Sequence, residues 1–199
     1  PSIDSPLFSE PFSVNLTTTI KTALFINEKQ AGKTTKKTFN FHKAIGKDVQ
    51  YVISHKQKYP GNGSFTLVDG LTGTTSYNDG DWQGWEADNM DVVIDLQNTE
   101  KITRVSIGLL ESQPSWIFLP THVIFSFSDD GKDFRNEKTV AIDDGERNGK
   151  PNRRAIEISN IGYSSRFIKV LAINRKTCPE WHLGAGGMAW IFVDEIVVE

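Results

Sequence analysis

The chain has 199 residues, a net charge of −3 and one cysteine, Cys178. This length corresponds to one large domain, or to a domain of ordinary size with a small one beside it. It is sufficient to bury a hydrophobic core without the support of disulfides. No basic run is present and no apolar stretch approaches a membrane span, so neither a nucleic-acid partner nor membrane insertion is expected. The sequence begins at Pro1 without a signal or lipidation pattern, which indicates a piece of a longer protein.

The distribution of residue types predicts the fold class. Aromatic residues are plentiful, with twelve Phe, five Trp and four Tyr. Short apolar runs alternate with clusters of Gly, Asn, Asp and Pro at fairly even spacing, a pattern that favours an all-β sandwich or barrel. Because no stretch carries a long apolar face with a period of 3.6 residues, almost no helix is expected.

The first 58 residues differ from the rest of the chain. They predict three short strands, at 13–17, 19–27 and 34–41, with a turn at 28–33 that contains Gly32. Three short strands have a thin core and are stable only when they lean on something else. We therefore expect residues 1–58 to form a partial β domain and residues 59–199 to form the main domain, with a junction at the Tyr59-Pro60-Gly61 turn signal.

Residues 67–85 predict an irregular loop at the start of the main domain. This stretch contains four glycines, three aspartates and three aromatic rings. Glycine supplies backbone conformations with positive φ, and aspartate side chains bond to nearby backbone amides, so neither a helix nor a strand is expected. Aromatic rings in such a loop are either packed into the core or offered to a ligand.

The remaining strands follow in order. Alternating apolar residues predict strands at 91–96, 102–109, 123–128 and around 156–158, and an apolar run predicts a buried central strand at 166–173. A closing strand is predicted at 190–198. Three loops lie between them: 111–120, which holds Trp116, the polar segment 143–154, and 177–187, which holds Trp181 and is rich in glycine.

The sequence offers no catalytic constellation. Glycoside hydrolysis needs two carboxyl groups roughly 5 to 9 Å apart, but Asp194 and Glu195 are neighbours in a predicted strand and are expected to face opposite sides. Cys178 and His182 are four residues apart, yet Pro179 excludes a helix between them, and no third group orients a catalytic pair. No catalytic residue is predicted.

Tryptophans in loops predict carbohydrate binding. Sugars stack their apolar C–H faces on aromatic rings, while their hydroxyls need polar partners. Trp190 lies in a strand and is expected in the core, as is Trp85, and one of Trp82 and Trp85 is expected to fill the core position after the loop. The predicted sugar contacts, led by the two tryptophans of the later loops, are Trp181, Trp116, Trp82, His182 and Glu180.

The order of these segments resembles the discoidin domain, the C-type family of coagulation factors V and VIII that includes carbohydrate-binding module family 32. The resemblance covers about residues 60–199 and rests on the segments 67–70, 93–96, 126–134, 166–170 and 192–197. It implies an all-β fold, an eight-stranded antiparallel jelly-roll sandwich of the galactose-binding-like type. It also implies a sugar or phospholipid head group bound at the loop end of that sandwich.

The N-terminal part carries a second resemblance. It is similar to the end of the small β domain that follows the catalytic barrel in chitobiase-type β-N-acetylhexosaminidases of glycoside hydrolase family 20. The matching features are Pro11-Phe12, segment 19–21, the Gly32 turn and segment 42–44 before 46–47. Together the two resemblances imply the C-terminal part of a bacterial glycoside hydrolase that is periplasmic, displayed on the cell surface or secreted.

The discoidin resemblance further implies a structural calcium ion at the start of the 67–85 loop. Calcium takes six to eight oxygen ligands, and a glycine-rich loop can supply some of them as backbone carbonyls. The implied ligands are Asp69, Thr74 and Glu195, provided that the closing strand runs beside the loop. In the alternative interpretation, Asp69 caps a turn and Glu195 lies on a solvated strand.

The predicted function is non-catalytic carbohydrate binding. The module would hold a parent hydrolase on glycans of galactose or N-acetylhexosamine type and raise the local substrate concentration. Its expected partners are a glycan and the catalytic barrel of the parent chain. A structural domain that braces the barrel without binding sugar is the first alternative. An enzyme in its own right is disfavoured by the absent carboxylate pair, and a lectin-like protein–protein contact stays open.

Overall fold

Nine β-strands and two single turns of 3-10 helix make up the regular structure of the computed structural model, which describes residues 1–199. The all-β prediction is confirmed. The helical turns are Thr66–Val68 and Gln113–Ser115. Neither has the length or the hydrophobicity of a transmembrane helix. The strands are β1 (Thr18–Ile26), β2 (Lys29–Phe39), β3 (Asp48–Ile53), β4 (Gln83–Glu86), β5 (Met90–Glu111), β6 (His122–Ser128), β7 (Arg135–Ala141), β8 (Asn152–Ile173) and β9 (Trp190–Val198).

Two antiparallel layers form a β-sandwich because β5 and β8 each pass from one layer to the other. The first half of β5 pairs with β3 and with the second half of β8, which continues to β6 and β7. The second half of β5 pairs with the first half of β8 and with β9, which continues to β4. The pairing is interrupted between Asp95 and Glu100, where Gln97 has a φ of +69° and the strand bends.

The main core lies between these layers and follows the alternation of the sequence. Val92, Ile94 and Leu96 of β5 are buried, as the period of two predicts for one face of a strand. Their neighbours in the facing layer come from the second half of β5 and from β9. A second, smaller apolar cluster lies on the outer face of the layer formed by β4, β9 and the adjoining halves of β5 and β8. Its members in β5 and β9 alternate with residues of the main core; the cluster consists of Trp82, Leu110, Ile117, Trp190 and Phe192.

Several predicted strands differ from the observed ones. The predicted strands 91–96 and 102–109 are one 22-residue strand, β5, and segment 156–158 lies inside the equally long β8. No strand forms at 13–17, and the predicted strand 34–41 is the second half of β2. The turn of the β1–β2 hairpin lies at Asn27 and Glu28, both with positive φ, so it overlaps only the start of the predicted turn 28–33, and the rest of that segment belongs to β2. The strands β3, β4 and β7 were not predicted.

The main domain begins earlier in the chain than the predicted junction at residue 59. Strands β1 and β2 pair only with each other, whereas β3 pairs along β5 in the sandwich. Ahead of β3, Ala44 is fully buried in the main core and the Lys43 N–H donates to the Val198 carbonyl, 2.8 Å away. The turn at 59–61 is therefore a connection within the sandwich, because main-chain pairing and burial already tie residues 42–53 to it.

Candidate functional site

Three loops meet at one end of the sandwich, where β5, β7 and β8 end and β6, β8 and β9 begin. They are the segments 112–121, 142–151 and 174–189. The alternating direction of antiparallel strands brings all three loops together, because each loop joins a strand that finishes at this end to one that starts there. We call this region the loop end.

Gln113 holds the three loops together. Its side-chain Nε2 donates to Glu111 Oε1 at 2.8 Å, and its Oε1 accepts the Asn148 N–H at 2.7 Å. The Gln113 carbonyl accepts hydrogen bonds from His182 Nε2 and from the Trp116 N–H, both at 2.8 Å. Gln113 is almost completely buried. One residue thus sets the relative positions of all three loops.

Trp116 is the most exposed ring at the loop end, with 40% of its surface accessible. Its backbone has a φ of +65°, a left-handed conformation that is unusual for a bulky residue and is often found at functional sites. The Trp116 carbonyl accepts the Trp190 N–H at 2.9 Å, which helps to hold this conformation. The ring packs on Gly184 and Gly187, where an added Cβ would lie 2.6 and 2.5 Å from ring atoms.

An aromatic cleft of about 470 Å³ opens beside Trp116. Tyr59 is its central ring, with centroids 5.2 Å from Trp190 and 4.7 Å from Phe192 in edge-to-face contacts. Lys58 and Glu86 add one positive and one negative group to the wall. The residues that line the cleft are Lys58, Tyr59, Tyr77, Glu86, Pro114, Ser115, Trp116, Ile117, Trp190 and Phe192. The cleft therefore combines stacking surface with hydrogen-bonding groups.

Trp181 lies at the loop end but does not line this cleft. Its ring is half-buried against Phe118, with the ring centroids 6.3 Å apart. The guanidinium of Arg147 lies over the same ring at 5.3 Å from its centroid. Glu180 is exposed beside Trp181. Of the two preferred tryptophans, Trp116 presents its ring to the cleft, whereas the Trp181 ring is largely occupied by protein groups.

Two of the predicted sugar contacts are buried, and the prediction is wrong for them. Trp82 is 1% exposed and donates its Nε1 hydrogen to the Thr74 carbonyl at 3.1 Å, under a glycine that leaves room for the ring. His182 is 6% exposed, and its Nδ1 accepts the Gly184 N–H while its Nε2 donates to Gln113. Both ring nitrogens of His182 are therefore used by the protein. Both predicted core tryptophans, Trp85 and Trp190, are buried.

The closing strand does run beside the 67–85 loop, at a place away from the loop end. Glu195 Oε2 accepts the Gly70 N–H at 2.9 Å, and Asp194 Oδ2 accepts the Gly73 N–H at 2.9 Å. The two carboxylates thus hold one loop, contrary to the expectation that strand neighbours face opposite sides. The reason is a bulge in β9: two residues separate Val193 from Ile196, opposite one residue between Leu109 and Ile107.

Of the predicted calcium ligands, Asp69 and Glu195 lie together and Thr74 does not join them. The Thr74 hydroxyl accepts the Ser76 N–H, and its N–H donates to Asp79 Oδ2 at 2.5 Å. No group of three His, Cys, Asp or Glu side chains is arranged to hold a metal ion. Glu195 Oε1 accepts a hydrogen bond from His42 Nε2 at 2.8 Å, since His42 Nδ1 is used by the Ala44 N–H.

Burial and crowding of acids control the protonation of this pair. Burial, followed by the nearby charge of Asp69, raises the pKa of Glu195 to about 10. Burial lowers the pKa of His42 to about 4. Burial also raises the pKa of Asp69. At neutral pH, in the absence of a cation, His42 and Glu195 are therefore joined by a hydrogen bond between uncharged groups rather than by an ion pair.

Sequence reasoning missed the residues that build the cleft from a distance. Tyr59 was interpreted only as part of a turn, and Lys58, Glu86 and Gln113 carried no pattern that distinguishes them from ordinary polar surface residues. Tyr59 comes from the segment before the 67–85 loop, whereas its ring partners come from β9. Only the Trp116 loop gave a signal, since a tryptophan in a predicted loop is typical of a ring on which a sugar stacks.

Comparisons with known proteins found similar folds among solved structures only. No family model matches the chain, and no curated protein matches it. A Streptococcus pneumoniae fucose-binding module is similar at a TM-score of 0.51 and 14% identity, over 79% of this chain and 96% of that one. A chitosan-binding module of a Paenibacillus chitosanase/glucanase gives 0.48 and 13%, over 80% and 99%. The lectin domain of lectinolysin in complex with Lewis b antigen gives 0.48 and 14%, over 79% and 95%. At these identities the likeness to the fucose-binding module establishes the β-sandwich fold alone.

Proposed function

We propose that this chain binds carbohydrate, without catalysis, in the aromatic cleft beside Trp116. The observation that carries the proposal is the exposure of Trp116, which is 40% accessible at the edge of a cleft of about 470 Å³. Its backbone has a strained left-handed conformation that fixes the position of the ring. A flat aromatic face with polar groups close by is what a sugar ring requires. Lys58 and Glu86 are the proposed partners of the sugar hydroxyls.

The proposed ligands are terminal residues of galactose or N-acetylhexosamine type. The fold likeness to a fucose-binding module and the discoidin resemblance both support a neutral sugar. The cleft is open and shallow, so it excludes little water and covers only one face of a pyranose ring. Single-site affinity is accordingly expected in the range of about 0.1 to a few millimolar.

A glycan-array screen of the chain tests this proposal. The wild type should bind galactose- or N-acetylhexosamine-terminated glycans, and Trp116→Ala should lose that binding because the stacking surface is removed. Phe41→Ala is the matched control, since Phe41 is also an exposed ring but lies away from the cleft. Loss of binding in the control alone, or undiminished binding in Trp116→Ala, would contradict the assignment of the cleft.

We also propose that the chain is part of a bacterial β-N-acetylhexosaminidase of the chitobiase type, exported to the periplasm, the cell surface or the medium. The support is the N-terminal resemblance together with exposed apolar side chains in the N-terminal segment. Leu7, Phe8, Phe12 and Leu16 are each more than 60% exposed. Such residues need a covering surface, and the proposed one is the catalytic barrel of the parent chain.

The main alternative is a structural domain that braces that barrel without binding sugar. The same exposed apolar segment favours it, because a brace requires only the contact with the barrel. The glycan array separates the two functions, because a folded chain that binds no glycan would favour the structural domain over the carbohydrate-binding module. Asp194 and Glu195, the adjacent carboxylates, are fully buried and bonded to backbone amides, which supports a structural role for them over a catalytic one.

Calcium at Asp69 and Glu195 is a further proposal, made on the discoidin resemblance. Its support is the adjacency of two carboxyl groups at a glycine turn, where burial and mutual repulsion raise the pKa of Glu195 to about 10. A divalent cation would offset that repulsion, and backbone carbonyls would supply the remaining ligands. Thr74 is left out, because its side chain and backbone groups are bonded within its own loop.

Thermal unfolding tests the calcium proposal. With calcium at a hundredfold excess over its Kd, the wild type should gain about 2.7 kcal/mol, which corresponds to about 5 to 10 °C in Tm for a chain of this size. The Glu195→Gln variant should show no such gain, because the amide cannot supply the charge. Superimposable unfolding curves of the wild type with calcium and with a chelator would reject the proposal.

A further inference from the structure

A second, polar cavity of about 690 Å³ adjoins the same loop that carries Trp116. Its walls are the end of β5, the start of β8 and the segment 145–151 between them. None of its ten lining residues is hydrophobic, in contrast to the aromatic cleft. A cavity of this size and composition at the loop end is suited to a hydrated, polar ligand.

Glu111 lies at the base of this cavity and is incompletely paired. More than nine-tenths of the residue is buried. Its Oε1 accepts one hydrogen bond, from Gln113 Nε2 at 2.8 Å, whereas its Oε2 accepts none from the protein. Oε2 lies so close to Gly145 that a Cβ there would be 2.1 Å away. The only buried side-chain atoms without a hydrogen-bond partner are Asp91 Oδ1 and Arg175 Nε, so Glu111 Oε2 is open to the cavity. A ligand that donates to Oε2 would form a hydrogen bond to a charged acceptor.

The charged groups of the cavity do not neutralise each other. Lys150 and Arg154 line it together with Glu111 and Glu146, and none of the four belongs to an ion pair. The cavity therefore offers hydrogen-bond acceptors and donors that are not used up by each other. A ligand with both an N–H donor and a carbonyl acceptor could bridge them. The acetamido group of an N-acetylated sugar has that pair of groups.

Consecutive residues of one loop line the polar cavity and the aromatic cleft. Gln113 lines the cavity and Pro114, Ser115 and Trp116 line the cleft. The same short loop therefore contributes to both, and its position is set by the buried Gln113 side chain. A glycan with one residue stacked on Trp116 would have its next residues near this loop.

We propose that the polar cavity is a second sugar subsite, which takes an N-acetylated residue of a glycan whose other end lies on Trp116. Glu111 Oε2 accepts a hydrogen bond from the acetamido N–H, and Arg154 or Lys150 donates to the acetamido carbonyl. This inference rests on the proposed function of the cleft and extends it from one sugar residue to an oligosaccharide. It makes chain length, as well as the terminal residue, a determinant of binding.

Calorimetric titration with N-acetylglucosamine and with its β-1,4-linked trimer tests the second subsite. The wild type should bind the trimer at least about tenfold more tightly than the monosaccharide, the gain of one added hydrogen bond to a charged group. Glu111→Gln keeps an oxygen that can accept the Gln113 hydrogen bond, so it should remove about that gain while leaving the binding of galactose, which carries no acetamido group, unchanged. Gly145→Ala should also lose the gain, because its methyl group would displace the whole Glu111 carboxyl group and residue 145 has no positive φ to strain. Since that group also bonds to Gln113, galactose binding is measured in the same variant to check the cleft.

The control is Glu137→Gln, which changes the charge equally on the exposed strand β7. Binding is measured at a temperature at which every variant is fully folded. If Glu111→Gln and Gly145→Ala bind the trimer like the wild type, the subsite is refuted while sugar binding in the cleft stands. If the wild type binds the trimer no more tightly than the monosaccharide, the subsite is likewise refuted. If it binds neither sugar, the N-acetylated subsite falls, and the glycan array decides independently whether the cleft binds another sugar.

Discussion

Single side chains of one type have opposite roles in this protein, and their surroundings decide which. Trp82 and Trp116 both lie in irregular segments beside polar residues. The ring of Trp82 packs against Gly73, and a Cβ added to that glycine would lie 2.3 Å from the ring. The ring is buried with Leu110 and Ile117. The ring of Trp116 rests with one face on glycines and leaves the rest open. Local sequence does not distinguish these two environments.

Replacing Trp82 by alanine should destabilise the fold by about 3 to 5 kcal/mol, the usual cost of removing a large buried ring. Trp116→Ala should cost less, about 1 to 2 kcal/mol, since 40% of that residue's surface is already in water. Urea unfolding followed by circular dichroism measures both. Equal losses of stability in the two variants would show that the contrast in burial is not reflected in the energetics.

Among the strands, β9 decides how the 67–85 loop is held. Its bulge turns two consecutive acids toward that loop, and both are fully buried. Asp194 accepts the Gly73 and Glu195 N–H groups and forms an ion pair with Arg153, while Glu195 bonds to Gly70 and His42. A regular strand would send one of these acids into the apolar core. The bulge therefore makes an otherwise unfavourable pair into a clamp.

Asp194→Ala should destabilise the chain by about 3 kcal/mol, because the N–H groups of Gly73 and Glu195 and the guanidinium of Arg153 lose their acceptor. Asp194→Asn should lose less, since it keeps an acceptor oxygen. Glu157→Ala is the matched control: its ion pair with Arg104 is exposed and should contribute about 0 to 1 kcal/mol. Chemical denaturation gives all three values. A cost for Asp194→Ala no greater than that of the control would argue against the clamp.

Considered as a whole, the chain is one sandwich with a hairpin outside it. The β1–β2 pair forms its own two-stranded sheet, whereas β3 belongs to the five-stranded layer. Residues 42–44 are tied to β9 through the His42–Glu195 and Lys43–Val198 hydrogen bonds. The boundary between independent and dependent parts of the fold therefore lies near residue 40.

Two truncated chains test this boundary. Residues 40–199 should unfold cooperatively with most of the stability of the full chain, because the strands of the lost hairpin pair only with each other and the hairpin contributes one ion pair, Lys37 with Asp81, to the main domain. Residues 59–199 should be strongly destabilised or insoluble, since they lack β3, the buried Ala44 and the partner of Glu195, each buried hydrogen-bond partner costing about 1 to 3 kcal/mol. Scanning calorimetry compares them. Equal transitions for the two chains would place the boundary at residue 59 instead.

Much of the fold could be derived from local patterns. The all-β class, the position of the closing strand and the burial of Trp85 and Trp190 follow from the period-two alternation, which reports which face of a strand is apolar. The proximity of the closing strand to the 67–85 loop came from family resemblance. The patterns could not show that 91–96 and 102–109 are one bent strand, because a bend changes the layer without interrupting the apolar alternation for long.

The candidate site depended on tertiary structure. Trp116 had a signal of its own, but the cleft needs Tyr59 and Phe192, which are far apart in sequence and meet only when β9 pairs with β4. The same holds for His182, whose burial is decided by its hydrogen bond to Gln113, and for the unpaired oxygen of Glu111. Alternation along a strand depends on neighbouring residues, whereas exposure and hydrogen-bond partners depend on which distant segments cover a side chain. That coverage is settled only by the packing of the folded chain.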